Sequence, residues 1–299
     1  MIDWIVFLLL FGFYLACATR PFTIQLRKFA DSKHHGFMLV LMLLVPFVLI
    51  RLPSAAASPT VFLRDVGVML IFLTIPTLAT LYRPANAKPL HWLDIVTIVA
   101  VWFAIEFGWL PEADAVLGGG IDIPVPLLIG IDMLLVLFLL IRPLPKIGYT
   151  FRINKSNLKH ANSALMAYTL TGVPFGLLTG FLVFNMVPFN LNDWVLAWPL
   201  GYIFVALPEE LLFRGIIQNQ LHGRFKNEWA AILIASILFG LAHLNNGTTG
   251  FPEPNWMFAI SATIAGLAYG WTWRKTGKIT VSALVHATIN FVWGIFLTA

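Results

Sequence analysis

Ten runs of mostly apolar residues, separated by short polar breaks, leave this chain few ways to fold. They cover residues 3–18, 36–50, 66–82, 93–110, 125–141, 164–188, 195–222, 229–244, 256–273 and 280–298. A helix crossing the hydrocarbon core needs about 20 predominantly apolar residues, so the 299 residues are better counted in spans than in soluble domains. The expectation is an all-α, polytopic integral membrane protein of about ten transmembrane helices. The run 36–50 is short for a span, and Pro46 inside it invites a kink.

Composition points the same way. Charged residues make up 11% and hydrophobic residues 59%, with a mean hydropathy of +0.83, against about 25% charged in soluble domains. Cys17 is the sole cysteine and lies in an apolar run, which rules out an intrachain disulfide or a cysteine metal site. The opening MIDWIV carries no basic region before its apolar run, so a retained first span is expected rather than a cleaved signal.

Lysines and arginines collect in alternate loops, as cytoplasmic loops do. One side holds Arg20 to Lys33, Arg83 with Lys88, Arg142 to Lys159, Arg214 to Lys226, and Arg274 to Lys278. The other holds only Arg51 and Arg64, beside acidic Glu112, Asp114, Asp122, Asp193 and Glu253. Both termini are therefore expected outside, in a multi-pass protein of the cell membrane. A pI near 9.4 could signal nucleic acid binding, but these cations sit where topology needs them. The longest polar stretch, Arg142 to Asn162, divides the chain into an N-terminal transmembrane region (1–141), a basic cytoplasmic linker (142–163) and a C-terminal transmembrane domain (164–299). Oligomeric state is not legible.

Chemistry concentrates in the C-terminal half. Glu209 and Glu210 sit side by side inside an apolar segment, where a bare carboxylate costs roughly 2.5–3.5 kcal/mol on insertion scales. Glu210 and Arg214 are four apart and can form an ion pair along one helix face, whereas Glu209 lies about 100° around the helix and stays free. Pro208 removes a backbone donor just before them. His243 follows in the next helix, and His286 with Asn290 share a face of the last. Counting about 1.5 Å per residue from the intervening turns brings Glu209, His243, His286 and Asn290 to similar depth, in a pocket expected to open toward the cytoplasm. A carboxylate and neutral imidazoles in a dry cavity can activate water and polarise a carbonyl. Glu209, His243 and His286 could equally hold zinc with an open position for water. The sequence alone leaves both open. HExxH, GxSG and GxGD motifs are absent.

Glu209-Glu210-x-x-x-Arg214, then Phe239-x-x-x-His243, then His286-x-x-x-Asn290 resemble the three signatures of the CAAX prenyl endopeptidase and bacteriocin-processing family of membrane proteases. The resemblance covers roughly residues 165–299. It implies an intramembrane endopeptidase acting on membrane-associated or lipid-modified peptides. Glu209 and His243 would then activate the attacking water, His286 and Asn290 would bind the scissile carbonyl as an oxyanion site, and Glu210 with Arg214 would hold the helix. That family has been described as both metal-dependent and glutamate-dependent, so zinc enters as one possibility.

Blander readings stand beside these. Glu209, Glu210 and Arg214 could form a purely structural ion cluster, and His243, His286 and Asn290 could be interhelical hydrogen bonds. Phe239 reads as packing, and Ala262, Gly266 and Gly270 as a close-packing face. Glu106 and Asp132 read as helix-helix bonds, and His34, His35, His91, His160 and His222 as solvated loop histidines. A proton-coupled transporter using Glu106, Asp132, Glu209 and the histidines, or a noncatalytic scaffold or bacteriocin-immunity protein, are the rival functions.

Overall fold

The computed structural model describes residues 1–186, 188 and 190–298; Val187, inside the expected span 164–188, and Ala299, at the end of the expected catalytic domain, lie outside the described residues. The protein is mostly helical, and every one of the ten apolar runs falls on a helical segment. By length and composition, Lys33–Ala57, Pro59–Leu81, Trp194–Phe225 and Ile279–Phe296 can cross a membrane; Ile2–Ala16 and Arg20–Phe29, bent by 102°, make a fifth if taken as one span. The helices thus qualify for four or five spans by this measure, not ten. Val125–Ile141 and Glu228–Leu241 are apolar but short. Leu63, Leu170, Leu178 and Phe184 are among many large apolar side chains left exposed, a surface suited to lipid rather than water.

Two compact units divide the chain, Met1–Leu144 and Pro145–Ala299. The first contains α1 (Ile2–Ala16), α2 (Arg20–Phe29), α3 (Lys33–Leu41), α4 (Leu44–Ala57), α5 (Pro59–Leu81), α6 (Trp92–Glu106) and α7 (Val125–Leu135), which runs on as a π-helical turn, Val136–Ile141. A hairpin of β1 (Asp114–Gly118) and β2 (Ile121–Pro124) precedes α7 and turns on Gly119 and Gly120, both at positive φ, the conformation glycine adopts without strain. Buried carboxylates here pair with arginines: Asp65 with Arg51 and Arg64, and Asp94 with Arg83 and Arg142. Of the two expected helix-helix bonds, that of Asp132 is not made among the described residues. Glu106 is exposed at its helix end and accepts from Trp102 of the same helix, because the two are four residues apart. Asp132 is fully buried with neither carboxylate oxygen hydrogen-bonded.

The second unit contains α8 (Lys155–Leu178), β3 (Val183–Phe184), α9 (Leu191–Gly201), α10 (Leu207–Glu210), α11 (Asn219–Phe225), α12 (Glu228–Leu241), α13 (Trp256–Thr276), α14 (Ile279–Phe296) and β4 (Leu297–Thr298), with β3 and β4 antiparallel. α8 begins at Lys155, earlier than the expected span, because Asn154 caps it by accepting from the Asn157 N–H while the Asn157 side chain accepts from the Asn154 N–H. The stretch before it is an ordered strap. Trp273 donates to the Ile147 carbonyl, Thr280 to that of Thr150, and Asn219 to that of Pro145. Lys278 donates to the Asn157 side chain at 2.8 Å. Gly148 in this strap has φ +72°, and a Cβ there would lie 1.8 Å from the Gly277 carbonyl oxygen. Gly180 also has positive φ (+73°) but faces open space. Gly148→Ala should therefore lower the melting temperature in detergent far more than Gly180→Ala, whose cost is confined to backbone strain of about 1–2 kcal/mol; equal shifts would show that the strap does not pack as described.

Candidate active site

The long helix from Leu191 to Phe225 is widened twice, by π-helical stretches Tyr202–Ala206 and Leu211–Gln218 on either side of the short α10. Pro208, with no N–H to give, lies between them. Such widened turns are frequent at functional sites. Within α10 the adjacent glutamates face different surroundings. Glu210 is fully buried, and the Glu209 side chain keeps about a third of its surface exposed (32%).

Glu210 is the hub of a buried polar network. Its Oε2 lies 3.4 Å from Nε of Arg214, one turn on, and both side chains are fully buried. Ser282 of α14 donates to Oε2, and Nδ1 of His286 lies 3.1 Å from Oε1. A carboxylate can only accept, so Nδ1 carries the hydrogen and Nε2 turns the other way. There it meets Glu209, whose Oε2 is 3.6 Å distant. His286 therefore bridges the two glutamates. Its ring stacks on Tyr269 at 4.4 Å and 14° and stands edge-on to Phe239 at 5.5 Å and 90°. Arg214 donates to the Gly266 carbonyl at 2.9 Å and lies over the rings of Phe239 (4.7 Å) and Tyr269 (5.3 Å), where the π faces favour its charge.

The remaining motif residues line one cavity of about 280 Å³ with Glu209 and His286. His243 follows the end of α12 and holds Nδ1 2.8 Å from the Phe239 carbonyl, so this nitrogen donates and Nε2 carries a lone pair. Asn290, one turn beyond His286, lines the same cavity and is exposed. Asn246 joins them from the loop after α12, while Phe258 and Ala262 of α13 and Trp293 of α14 supply apolar wall. Phe239 packs, as expected, and also accepts the His243 bond.

The cavity is closed at one end. Glu210, Arg214, Ser282 and Gln218 form its buried underside, toward the end of the helices where Arg224, Lys226, Arg274 and Lys278 lie. Its exposed members, Asn246, Asn290 and Val205, lie toward the opposite end. The opening was expected on the basic side, where this buried network lies.

Two participants were not anticipated. Ser282 precedes His286 by four residues, a same-face spacing that could have flagged it. Tyr269 carried no signal, since its role comes from packing between helices. Gly266 and Gly270, expected as a close-packing face, lie close to α12, a Cβ at 266 coming 3.2 Å from the Ser236 Cα and one at 270 coming 3.2 Å from Ile232 Cγ2, and they also make room for polar side chains: the same Cβ atoms would lie 3.1 Å from Nη2 of Arg214 and 2.6 Å from the Gln218 Oε1. For zinc, Glu209, His243 and His286 do not converge into a ligand set; among the described residues no three His, Cys, Asp or Glu side chains are arranged to hold a metal ion.

In the second unit a buried carboxylate network thus carries a histidine to the wall of a cavity between helices. Residues 190–292, which contain all six charged and polar motif residues, match the family model of type II CAAX prenyl endopeptidase Rce1-like proteins. Over 112 residues the chain is 31% identical to UPF0177 protein YxdF of Lactococcus lactis subsp. lactis (strain IL1403), an alignment covering 38% of this chain and 53% of that protein. The chain thus spans about half the length of the curated relative it matches. No solved structure matches.

Removing the hub should cost fold rather than chemistry alone. Glu210→Gln leaves the Arg214 guanidinium buried without its counter-charge, a defect of about 3–5 kcal/mol. Thermal melts should show a large drop for Glu210→Gln and little change for the partly exposed Glu209→Gln. A Glu210→Gln protein as stable as the wild type would contradict the network.

Proposed function

We propose that this protein is an intramembrane endopeptidase that hydrolyses peptide bonds of membrane-associated or lipid-modified substrates. The observation that carries the reading is the bridge of His286 between a buried Glu210 and a cavity-facing Glu209. Glu209 is the general base: it takes a proton from water as the water oxygen bonds to the scissile carbonyl carbon. His243, with its Nε2 lone pair directed away from the Phe239 carbonyl, accepts the water's second hydrogen bond. Negative charge then develops on the carbonyl oxygen. Asn290 through its amide N–H, and His286 when protonated at Nε2, stabilise that oxyanion. Collapse breaks the C–N bond, and Glu209 returns the proton to the leaving nitrogen. Two carboxylates, Arg214 and a doubly protonated His286 sum to zero charge, which suits a site surrounded by hydrocarbon.

Glu210, Ser282 and Tyr269 position the His286 ring, and Arg214 neutralises Glu210. The apolar lining of Phe258, Ala262 and Trp293 suits apolar side chains beside the scissile bond. A proton-coupled transporter would need a polar path, and Asp132, the buried acid it would use in the first unit, has no polar partner for its oxygens.

Comparing membrane peptides from cells expressing wild type and Glu209→Gln tests the reading. Products present only with wild type are expected, with cleavage reduced about 10²–10⁴-fold in the variant. Asn290→Ala should lower kcat about 10²–10³-fold with little change in stability. Undiminished cleavage by a folded Glu209→Gln protein would sink the assignment. Repeating the wild-type assay with a chelator tests the zinc alternative separately.

A further inference from the structure

The second unit carries its charge in one place. Ten lysines and arginines lie between residues 145 and 299. Arg214 is the buried partner of Glu210, and the other nine fall in three stretches, 146–159, 224–226 and 274–278. The fold gathers these stretches at one end. Trp273 and Lys278 bond the strap at Ile147 and Arg152, Asn219 of α11 bonds it at Pro145, and Arg274 pairs with Glu228 at the start of α12. The opposite end consists, among the described residues, of 179–186, 190–193, 242–256 and 296–298, joined by the β3–β4 pair and by Phe251 packed on Phe181 at 5.4 Å. It holds no lysine or arginine, only Asp193 and Glu253.

The catalytic cavity has a direction along this axis. His286 lies seven residues into α14 from the basic end, about 10 Å at the helical rise, and is almost fully buried. Asn290 lies about 16 Å from that end and is exposed. On α13, Tyr269 is buried near the basic end, whereas Phe258 is partly exposed close to the start of the helix at the other end. Asn246 belongs to the far loop itself. That loop is firmly held: buried Asn255 donates to the Asn246 carbonyl at 2.9 Å and caps α13 by accepting from the Phe258 N–H. Among the cavity residues, His286 and Tyr269 toward the basic end are buried, while Asn290 and Asn246 toward the uncharged end are exposed.

Lysine and arginine bias sets the orientation of membrane segments, with the rich side cytoplasmic. We infer that the catalytic cavity opens on the extracytoplasmic face of the membrane, so that substrates are peptides or protein segments presented from that side rather than cytoplasmic tails. This rests on the proposed endopeptidase function for the word substrate, but the orientation stands or falls independently of it. The buried Glu210–Arg214–Ser282 layer would then seal the site from the cytoplasm, and the loop 244–255 would form the rim that an arriving peptide meets first.

Single cysteines test it. In the full chain with Cys17→Ala, Thr249→Cys places a thiol on the uncharged loop, and Phe225→Cys places one on the exposed turn at the basic end. Asn245→Cys and Phe151→Cys repeat the comparison at second positions. A bulky, membrane-impermeant maleimide is applied to intact and to permeabilised cells, and labelling is read as a gel shift. The expected result is a shift of the 249 and 245 variants in intact cells, with the 225 and 151 variants shifting only after permeabilisation. The reverse pattern, or equal labelling of both ends in intact cells, would overturn the orientation. Neither outcome depends on cleavage, so failure here leaves the Glu209→Gln assay to judge the protease reading by itself.

Discussion

The Glu210 carboxylate is the constraint on which the rest of the site depends. A charged group this deep is tolerated only with compensation, and here three neighbours supply it: Arg214 one turn along, Ser282, and the Nδ1–H of His286. Each comes at a structural cost borne elsewhere. Arg214 needs the missing Cβ of Gly266 and the faces of Phe239 and Tyr269, and Ser282 and His286 need α14 in one rotation about its axis. The helices of the second unit are thereby locked to one another through polar contacts that hydrocarbon cannot replace.

Holding His286 by one nitrogen fixes the other. Nε2 is turned to Glu209 in a cavity that also receives His243 and Asn290, so a structural network ends in a chemical one. The adjacent glutamates divide these duties because neighbouring helix positions point about 100° apart. One carboxylate is consumed by packing and the other keeps a face toward the cavity.

Much of this was legible in the sequence. The i to i+4 spacing foretold the pairing of Glu210 with Arg214, and apolar runs foretold where the helices lie. Bringing Glu209, His243, His286 and Asn290 to one cavity followed from counting residues outward from two turns. What sequence could not give were relations perpendicular to the helix axes. That Glu210 also holds His286 depends on the rotation of α14 against α10, and the use of Gly266 and Gly270 depends on which neighbouring side chain meets them. In the first unit, Val125–Ile141 is short for a span, whereas the run 36–50, expected to be short, lies within Lys33–Ala57, which is long enough to cross. Asp132 has no hydrogen-bonding partner among the described residues.

The division of labour between the two glutamates can be seen directly in the protonation of the His286 ring. Nitrogen NMR of the protein labelled with ¹⁵N-histidine, with the His286 signals identified by their loss in His286→Asn, reports which ring nitrogen carries hydrogen. The account predicts a protonated Nδ1 bound to Glu210 in the wild type. An unprotonated Nδ1, with hydrogen on Nε2 alone, would contradict it.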